Sequence, residues 1–205
     1  MSSTGSDGGG DDYAEFLRVF ESVPFANEYT LASNHNDLTF EEEQTLSHYA
    51  LGAYASINTH LRGTSLTTEV PSEYEIDREI AVIRSALLKS PLVEAVRVSR
   101  EVDGLSIGVT DEASAVAAVG GAFDELGFMS TSMTKHPPSL VPAHAYPVTL
   151  ELLVPAGTPA RALGELSYFS EHEKELLIID GQTVQIDFAR YDETAGRWRL
   201  LGRIG

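Results

Sequence analysis

The chain has 205 residues, 42% of them hydrophobic, which suits one domain with a real core or two small lobes and excludes wholesale disorder. Its 14 Lys and Arg against 31 Asp and Glu give a formal charge of −17, so the surface repels phosphate backbones and nucleic acid is not expected as a partner. There is no cysteine, which removes disulfides, thiolate catalysis and zinc ribbons, and no run approaches the roughly 20 apolar residues of a membrane span. Residues 1–12 are mostly Ser, Gly and Asp, without the basic and apolar regions of a signal peptide, and read as a flexible acidic tail. Residues 13–205 then read as a single domain, a helical part over 13–90 and a β-rich core over 91–205.

In chain order, Tyr13 to Val23 carries Phe16, Leu17, Phe20 and Val23 at helical spacing. Thr39-Phe40-Glu41-Glu42 is a capping box that opens a helix running through Leu46, Tyr49, Tyr54, Ile57 and Leu61 to a stop at Gly63. Ser72-Glu73-Tyr74-Glu75 is a second capping box, leading into Ile76, Ile80, Ile83 and Leu87, and Pro91 ends that pattern. Alternation from Val93 to Val102 predicts a strand, and Thr110-Asp111-Glu112 starts a short Ala-rich helix. Gly127 to Ser132 and the nearly all-apolar Val148 to Val154 are strands, the latter central. Thr158-Pro159 has the residue types of an N-cap and first helical position, which predicts a short helix ending near Leu166. Glu175 to Ile179 is a strand, and Thr183 to Ala189 with Arg197 to Ile204 forms a hairpin closed near Thr194-Ala195-Gly196. Helices followed by strands predict an α+β fold.

Three groups along this order carry chemistry. Val96-Arg97-Val98-Ser99-Arg100 presents arginines from a strand. Gly127-Phe128-Met129-Ser130-Thr131-Ser132 ends in three consecutive hydroxyls. Glu173-Lys174-Glu175 places two carboxylates at the mouth of Leu176-Leu177-Ile178; in a strand, residues two apart face the same side, so both would face one cleft. Each group alone is commonplace: a surface cation, a turn, a solvated strand entrance. The six histidines form no pair four residues apart and no carboxylate-supported cluster, so no metal site is expected. No Gly-x-Gly-x-x-Gly follows a strand, so a dinucleotide would not be held in Rossmann fashion.

Taken in order, the arginine, the Ser-Thr-Ser and the Glu-x-Glu resemble the mono-ADP-ribosyltransferases, NAD-consuming toxins with an Arg–Ser–Glu triad. Tyr49 to Gly63 is similar to that family's helix, which runs tyrosine, a small-residue turn, tyrosine, Ile-Asn, then Leu-Arg. Ser90-Pro91-Leu92 to Arg100 resembles the approach to the family's NAD-binding arginine, in a register that selects Arg100 over Arg97. The resemblance extends from about residue 39 to the C-terminus. The chain departs from the family beside the arginine, where Ser99 and Glu101 stand for an aromatic and a glycine. It departs again in the proline-rich stretch from Met133 to Pro147, where Tyr146 is the only aromatic.

The resemblance implies NAD as substrate, with no metal, and a site built from Arg100, Ser130, Glu173 and Glu175. Arg100 would take the pyrophosphate, Glu175 the ribose of the departing nicotinamide, and Ser130 would position Glu175 or the ribose. Thr131 and Ser132 would brace the strand edge and, with Tyr49 and Tyr54, flank the dinucleotide. Glu173 would act as base for the acceptor. In the resembled family, Glu rather than Gln at that position goes with arginine acceptors, so the implied partner is a protein bearing an acceptor arginine. The loop Ser167 to His172 matches the family's substrate-recognition loop. A monomer is expected, either cytoplasmic or delivered by a route the sequence does not specify. Two other functions fit the same fold: an NAD glycohydrolase with water as acceptor, and a non-catalytic binding module. A glycoside hydrolase using Glu173 and Glu175 leaves Arg100 and the Ser-Thr-Ser unexplained.

Overall fold

The structure, a computed structural model, describes residues 9–26, 37–64, 73–138, 144–167 and 174–205. Helix α1 (Gly9–Ser22) starts four residues before the Tyr13 periodicity, within the stretch expected as a tail. Helix α2 (Phe40–His48) begins at the predicted capping box: the Glu42 N–H donates to Thr39 Oγ1 (3.3 Å) and the Thr39 N–H to Glu42 Oε2 (2.7 Å). The expected single helix to Leu61 is interrupted. Gly52 sits at φ 150°, open to glycine but strained for other residues, and the chain passes through a π-helical turn (Tyr49–Ala53) before α3 (Tyr54–Leu61). Helix α4 (Glu73–Leu88) follows; Ser72 of the second capping box lies outside the described residues. Leu46, Tyr49 and Ile57 pack with Ile76, Ile80, Ile83 and Leu87 of α4 into one buried cluster.

Glu42 shows how tightly α2 and α4 are tied. Its carboxylate accepts from Ser85 Oγ (2.8 Å) and Lys89 Nζ (2.6 Å) of the facing segment as well as from the Thr39 N–H. Burial alone would raise this carboxyl, but Lys89, the Thr39 N–H and Ser85 together outweigh it and hold it down at about 2, against an ordinary 4.5. A depressed carboxyl stabilises the fold above its unfolded value and loses that contribution as pH falls through its folded value. Wild-type stability is therefore expected to drop between about pH 4.5 and pH 2. Glu42→Gln is expected to cost about 2 kcal/mol at pH 7 and to flatten that acid limb, as urea unfolding at pH 7, 4 and 2.5 would measure.

Among the described residues eight strands follow: β1 (Val96–Asp103), β2 (Ala122–Glu125), β3 (Met129–Ser132), β4 (Pro147–Val154), β5 (Ala160–Ala162), β6 (Glu175–Ile178), β7 (Gln182–Asp192) and β8 (Arg197–Ile204). A short helix α5 (Glu112–Ala117), capped by Asp111, lies between β1 and β2. The strand order is β2-β7-β8-β4-β1-β3-β6-β5, with the apolar β4 in the interior as expected and paired in parallel with β8. β1 and β3 are joined through the single pair Ser99↔Ser132, so the sheet divides there into a five-stranded part and the three-stranded β3-β6-β5. The helical cluster rests on the three-stranded part through Phe128, Leu163 and Leu177. The α+β architecture is the one predicted.

Two expectations are corrected. Thr158-Pro159 does not start a helix: Pro159 bridges Pro91, and Ala160–Ala162 forms the edge strand β5 against β6. A ladder with a neighbouring strand overrides the local helix signal of so short a segment, and proline is tolerated at a sheet edge. Only a 3₁₀ turn, Gly164–Leu166, remains of the predicted helix. Strand β2 was not expected, because Ala-Phe-Asp-Glu has little β-propensity; its pairing with β7 decides it.

Candidate active site

The division of the sheet between β1 and β3 positions the site. Ser130 in β3 and Glu175 at the start of β6 lie on paired strands, and Ser130 Oγ donates to Glu175 Oε1 at 2.5 Å. Glu175 is only 8% exposed. Lys174, just before it, has φ 39°, a left-handed conformation that an L-residue adopts only under strain. The described strand begins at Glu175, and Glu173 lies outside the described residues.

The other hydroxyls serve the frame. Thr131 is buried and gives its Oγ1 to the Leu176 carbonyl (2.7 Å), across the β3–β6 pair. Ser132, opposite Glu175, accepts from the Thr134 N–H (3.2 Å), and Ser99 Oγ donates to the Thr134 carbonyl, linking β1 to the turn after β3. Alternation puts Thr131 on the face of β3 opposite Ser130.

Tyr49 is 1% exposed, and its phenol oxygen accepts from Asn58 Nδ2 at 3.0 Å. Asn58 also accepts the Phe128 N–H (2.9 Å) and donates to the Phe128 carbonyl (3.3 Å), fixing the backbone two residues before Ser130. A Cβ on Gly127 would stand 2.9 Å from Asn58 Oδ1, so this approach requires glycine. Burial raises the Tyr49 phenol well above its ordinary range, so it stays protonated; the charge of Glu175 adds to the shift, and those of Arg100 and Arg62 oppose it. The fields of all three charged residues therefore meet at this buried ring. Tyr54, packed edge-on to Tyr49 at 6.4 Å, is exposed.

Arg97 and Arg100, three residues apart on β1, have different surroundings. The Arg97 guanidinium bonds Glu151 (3.0 Å) and the Val23 carbonyl and lies over the Phe25 ring at 4.5 Å, stapling the segment after α1 to the sheet. Arg100 instead faces Glu125, with Nη1 3.3 Å from Oε2. Burial lowers the Arg100 guanidinium and the Glu125 charge raises it; an arginine remains cationic at neutral pH through such shifts. The second Glu125 oxygen accepts from Arg62 Nε (2.9 Å) and the Gly127 N–H (3.0 Å). Arg62 ends α3, so two guanidiniums from separate elements converge on one carboxylate. Arg62, Asn58 and Glu125 were not chosen as site residues from the sequence. The first two belong to the Ile-Asn…Leu-Arg run already quoted, and Glu125 carried no signal.

A cavity of about 460 Å³ opens at this cluster, lined by Arg62, Arg100 and Glu125 together with other residues of β1, β2 and the loop after β1. That volume falls within the roughly 300–1,000 Å³ of small-molecule sites. Among the described residues no three carboxylates or histidines are grouped to hold a metal ion, and no helix is long and apolar enough to cross a membrane.

The Ser130–Glu175 bond and the Arg62–Glu125–Arg100 cluster are the two charged groupings of the candidate site. The profile of the ADP-ribosyltransferase exoenzyme family matches residues 26–201, and the chain belongs to that family, whose members transfer ADP-ribose from NAD. The fold is shared with Plx2a, an ADP-ribosyltransferase toxin from Paenibacillus larvae (24% identity, 95% of this chain and 96% of that one, TM-score 0.70). It is shared also with the Clostridium limosum C3 exoenzyme (17% identity, 100% and 98%, TM-score 0.68). BECa, an ADP-ribosylating toxin of C. perfringens solved with NADH, is similar over 83% of this chain and 44% of its own (21% identity, TM-score 0.71). No curated protein matches the sequence.

Proposed function

We propose that the chain cleaves NAD at the nicotinamide–ribose bond and transfers the ADP-ribose to an arginine of a target protein. The observation that carries the reading is the 2.5 Å bond from Ser130 to the buried Glu175 carboxylate, taken with the Arg62–Glu125–Arg100 cluster. Breaking the bond between C1′ and the pyridinium nitrogen releases neutral nicotinamide and leaves positive charge shared by C1′ and the ring oxygen, as in glycoside cleavage. A carboxylate held at that ribose stabilises the charge more as it develops than in the ground state, which accelerates the step. Ser130 fixes the carboxylate in place. Arg100 and Arg62 take the pyrophosphate, since guanidinium forks bond phosphate oxygens bidentately and stay charged.

The acceptor assignment rests on Glu173, a glutamate where the resembled family uses glutamine for other acceptors. A guanidinium nitrogen attacks C1′ and must give up a proton as it does so; Glu173 receives it. Water needs less help against so reactive a cation. Glu173→Gln is therefore expected to abolish labelling of protein while sparing much of the NAD hydrolysis, with nicotinamide release and protein labelling measured on the same variant. Loss of both activities together contradicts this division of roles.

Arg100→Ala tests the NAD site directly. Glu125 keeps Arg62 and the Gly127 N–H, so no carboxylate is stranded. NAD affinity is expected to fall by about 1.5–3 kcal/mol, the range for a charge-assisted bond. Calorimetry finding unchanged affinity would remove Arg100 from the site.

A further inference from the structure

The two charged groupings of the site stand on different parts of the sheet. Arg100 belongs to the five-stranded part, and Ser130 and Glu175 to the three-stranded part. One NAD molecule must meet both, and its pyrophosphate and its nicotinamide ribose are a fixed few bonds apart. The protein therefore has to hold the distance between arginine and carboxylate. A single row of residues spans it: Ser99, the neighbour of Arg100 in β1, pairs with Ser132 of β3, and Ser132 pairs with Glu175 of β6. Two strand spacings, roughly 10 Å, separate the backbone at Ser99 from that at Glu175. Among the described residues Ser99↔Ser132 is the one pair between β1 and β3, so the ladder alone leaves the two parts free to pivot there.

The turn after β3 closes that pivot. Ser99 is fully buried, and its Oγ donates to the Thr134 carbonyl from the five-stranded side. Arg199 of β8, in the same part, donates to the Lys135 carbonyl at 3.3 Å. From the three-stranded side, Ser132 Oγ accepts the Thr134 N–H at 3.2 Å. The Met133 N–H donates to the Lys174 carbonyl at 2.9 Å, one residue before Glu175. The turn is thus fastened to both parts at once.

We infer that Ser99 is a positioning residue: its bond to the Thr134 carbonyl fixes the separation of Arg100 and Glu175, and so holds Glu175 at the ribose while the pyrophosphate is on the arginines. The inference rests on the NAD reading above. Ser99 acts through the turn and not on the substrate. Without its hydroxyl the Thr134 carbonyl loses its tie to β1, and the remaining contacts on that side are the single ladder pair and the longer Arg199 bond. Each grouping stays intact within its own part of the sheet; what changes is their register on one ligand.

The test uses the full chain as wild type, Ser99→Ala and Ser99→Thr. Nicotinamide release gives kcat and KM for NAD, calorimetry gives the affinity for ADP, and thermal midpoints check folding. ADP carries the pyrophosphate without the second ribose, so it engages the arginines alone and is indifferent to their distance from Glu175. Ser99→Ala is expected to lower kcat on the order of ten- to a hundredfold, as for a catalytic group displaced by about 1 Å, with KM and ADP affinity within about twofold of wild type. Ser99→Thr keeps the hydroxyl and suits a strand, and is expected to restore most of the turnover. Turnover of Ser99→Ala within about threefold of wild type overturns the role, since a displaced catalytic group costs more than that. ADP affinity lost in step with turnover also overturns it, because that pattern marks a general loosening of the fold. A folded Ser99→Thr no faster than Ser99→Ala does the same. Absence of nicotinamide release by the wild type overturns the NAD reading itself, and the positioning role with it.

Discussion

Glu175→Gln is expected to abolish both ADP-ribose transfer and NAD hydrolysis, because every route passes through the ribosyl cation that this carboxylate stabilises. Glutamine has the same shape and can still accept the Ser130 hydroxyl, now 2.5 Å from the carboxylate, so the strand pair β3–β6 should survive the change. What is lost is the negative charge, in a site where Glu175 is only 8% exposed and water screens little. Removal of a single preorganised electrostatic contact from an active site lowers kcat on the order of 10²–10³-fold, and loss of a full charge should reach at least that. Nicotinamide release, with folding checked by circular dichroism, is the measurement; a rate within tenfold of wild type would exclude Glu175 from the chemistry.

The largest expected effect on stability lies elsewhere. Glu151 of β4 is 1% exposed and accepts from Arg97 Nη1 (3.0 Å) and Arg199 Nη1 (2.8 Å), and Arg199 is itself 2% exposed. Deleting one member of a buried ionic group costs about 3–5 kcal/mol, because the remaining charge has neither water nor a partner. Glu151→Leu takes the shared carboxylate from two guanidiniums at once, leaving Arg199 with Asp192 (3.2 Å) and Arg97 with the Val23 carbonyl. At about 2–4 °C per kcal/mol for a domain of this size, the melting temperature should fall by about 10 °C. Adding Arg199→Met should recover part of the loss, since an apolar pair of similar volume tolerates burial where a lone charge does not. A single variant within about 1 kcal/mol of wild type by urea unfolding contradicts this account of the group.

The features legible in the sequence were those written in local chemistry. The Thr39–Glu42 capping box, the apolar β4 and the β7–β8 hairpin depend on short-range patterns, and each forms as read. The features that were not legible depend on residues far apart in the chain. Pro159 joins an edge strand because Pro91 and β6 are beside it, and nothing between Thr158 and Leu166 records those neighbours. Gly52 interrupts a well-patterned helix through its φ alone, and a lone glycine in such a pattern is compatible with either outcome. Lys174 is similar: nothing in the local pattern records its positive φ, next to the first residue of β6.

The candidate site was legible only in part, for the same reason. Ser130 and Glu175 belong to recognisable runs, and their strands bring them together. Arg97 and Arg100 are indistinguishable as strand arginines; their surroundings separate them, Glu151 and a phenylalanine ring for one and Glu125 for the other. Glu125 reads as one acid among 31, and its meaning appears only when Arg62 and Arg100 converge on it. Asn58 is buried because the Phe128 backbone needs both a donor and an acceptor at one point, a requirement that arises from tertiary packing.

The central claim is transfer of ADP-ribose to a protein arginine, and one experiment addresses it most directly. The purified chain is incubated with labelled NAD and a cell lysate, and labelled peptides are mapped by tandem mass spectrometry. The account predicts nicotinamide release together with ADP-ribose on arginine side chains, and neither with Glu175→Gln. Label on asparagine, or free ADP-ribose with no labelled protein, contradicts the arginine assignment; no NAD cleavage at all contradicts the site.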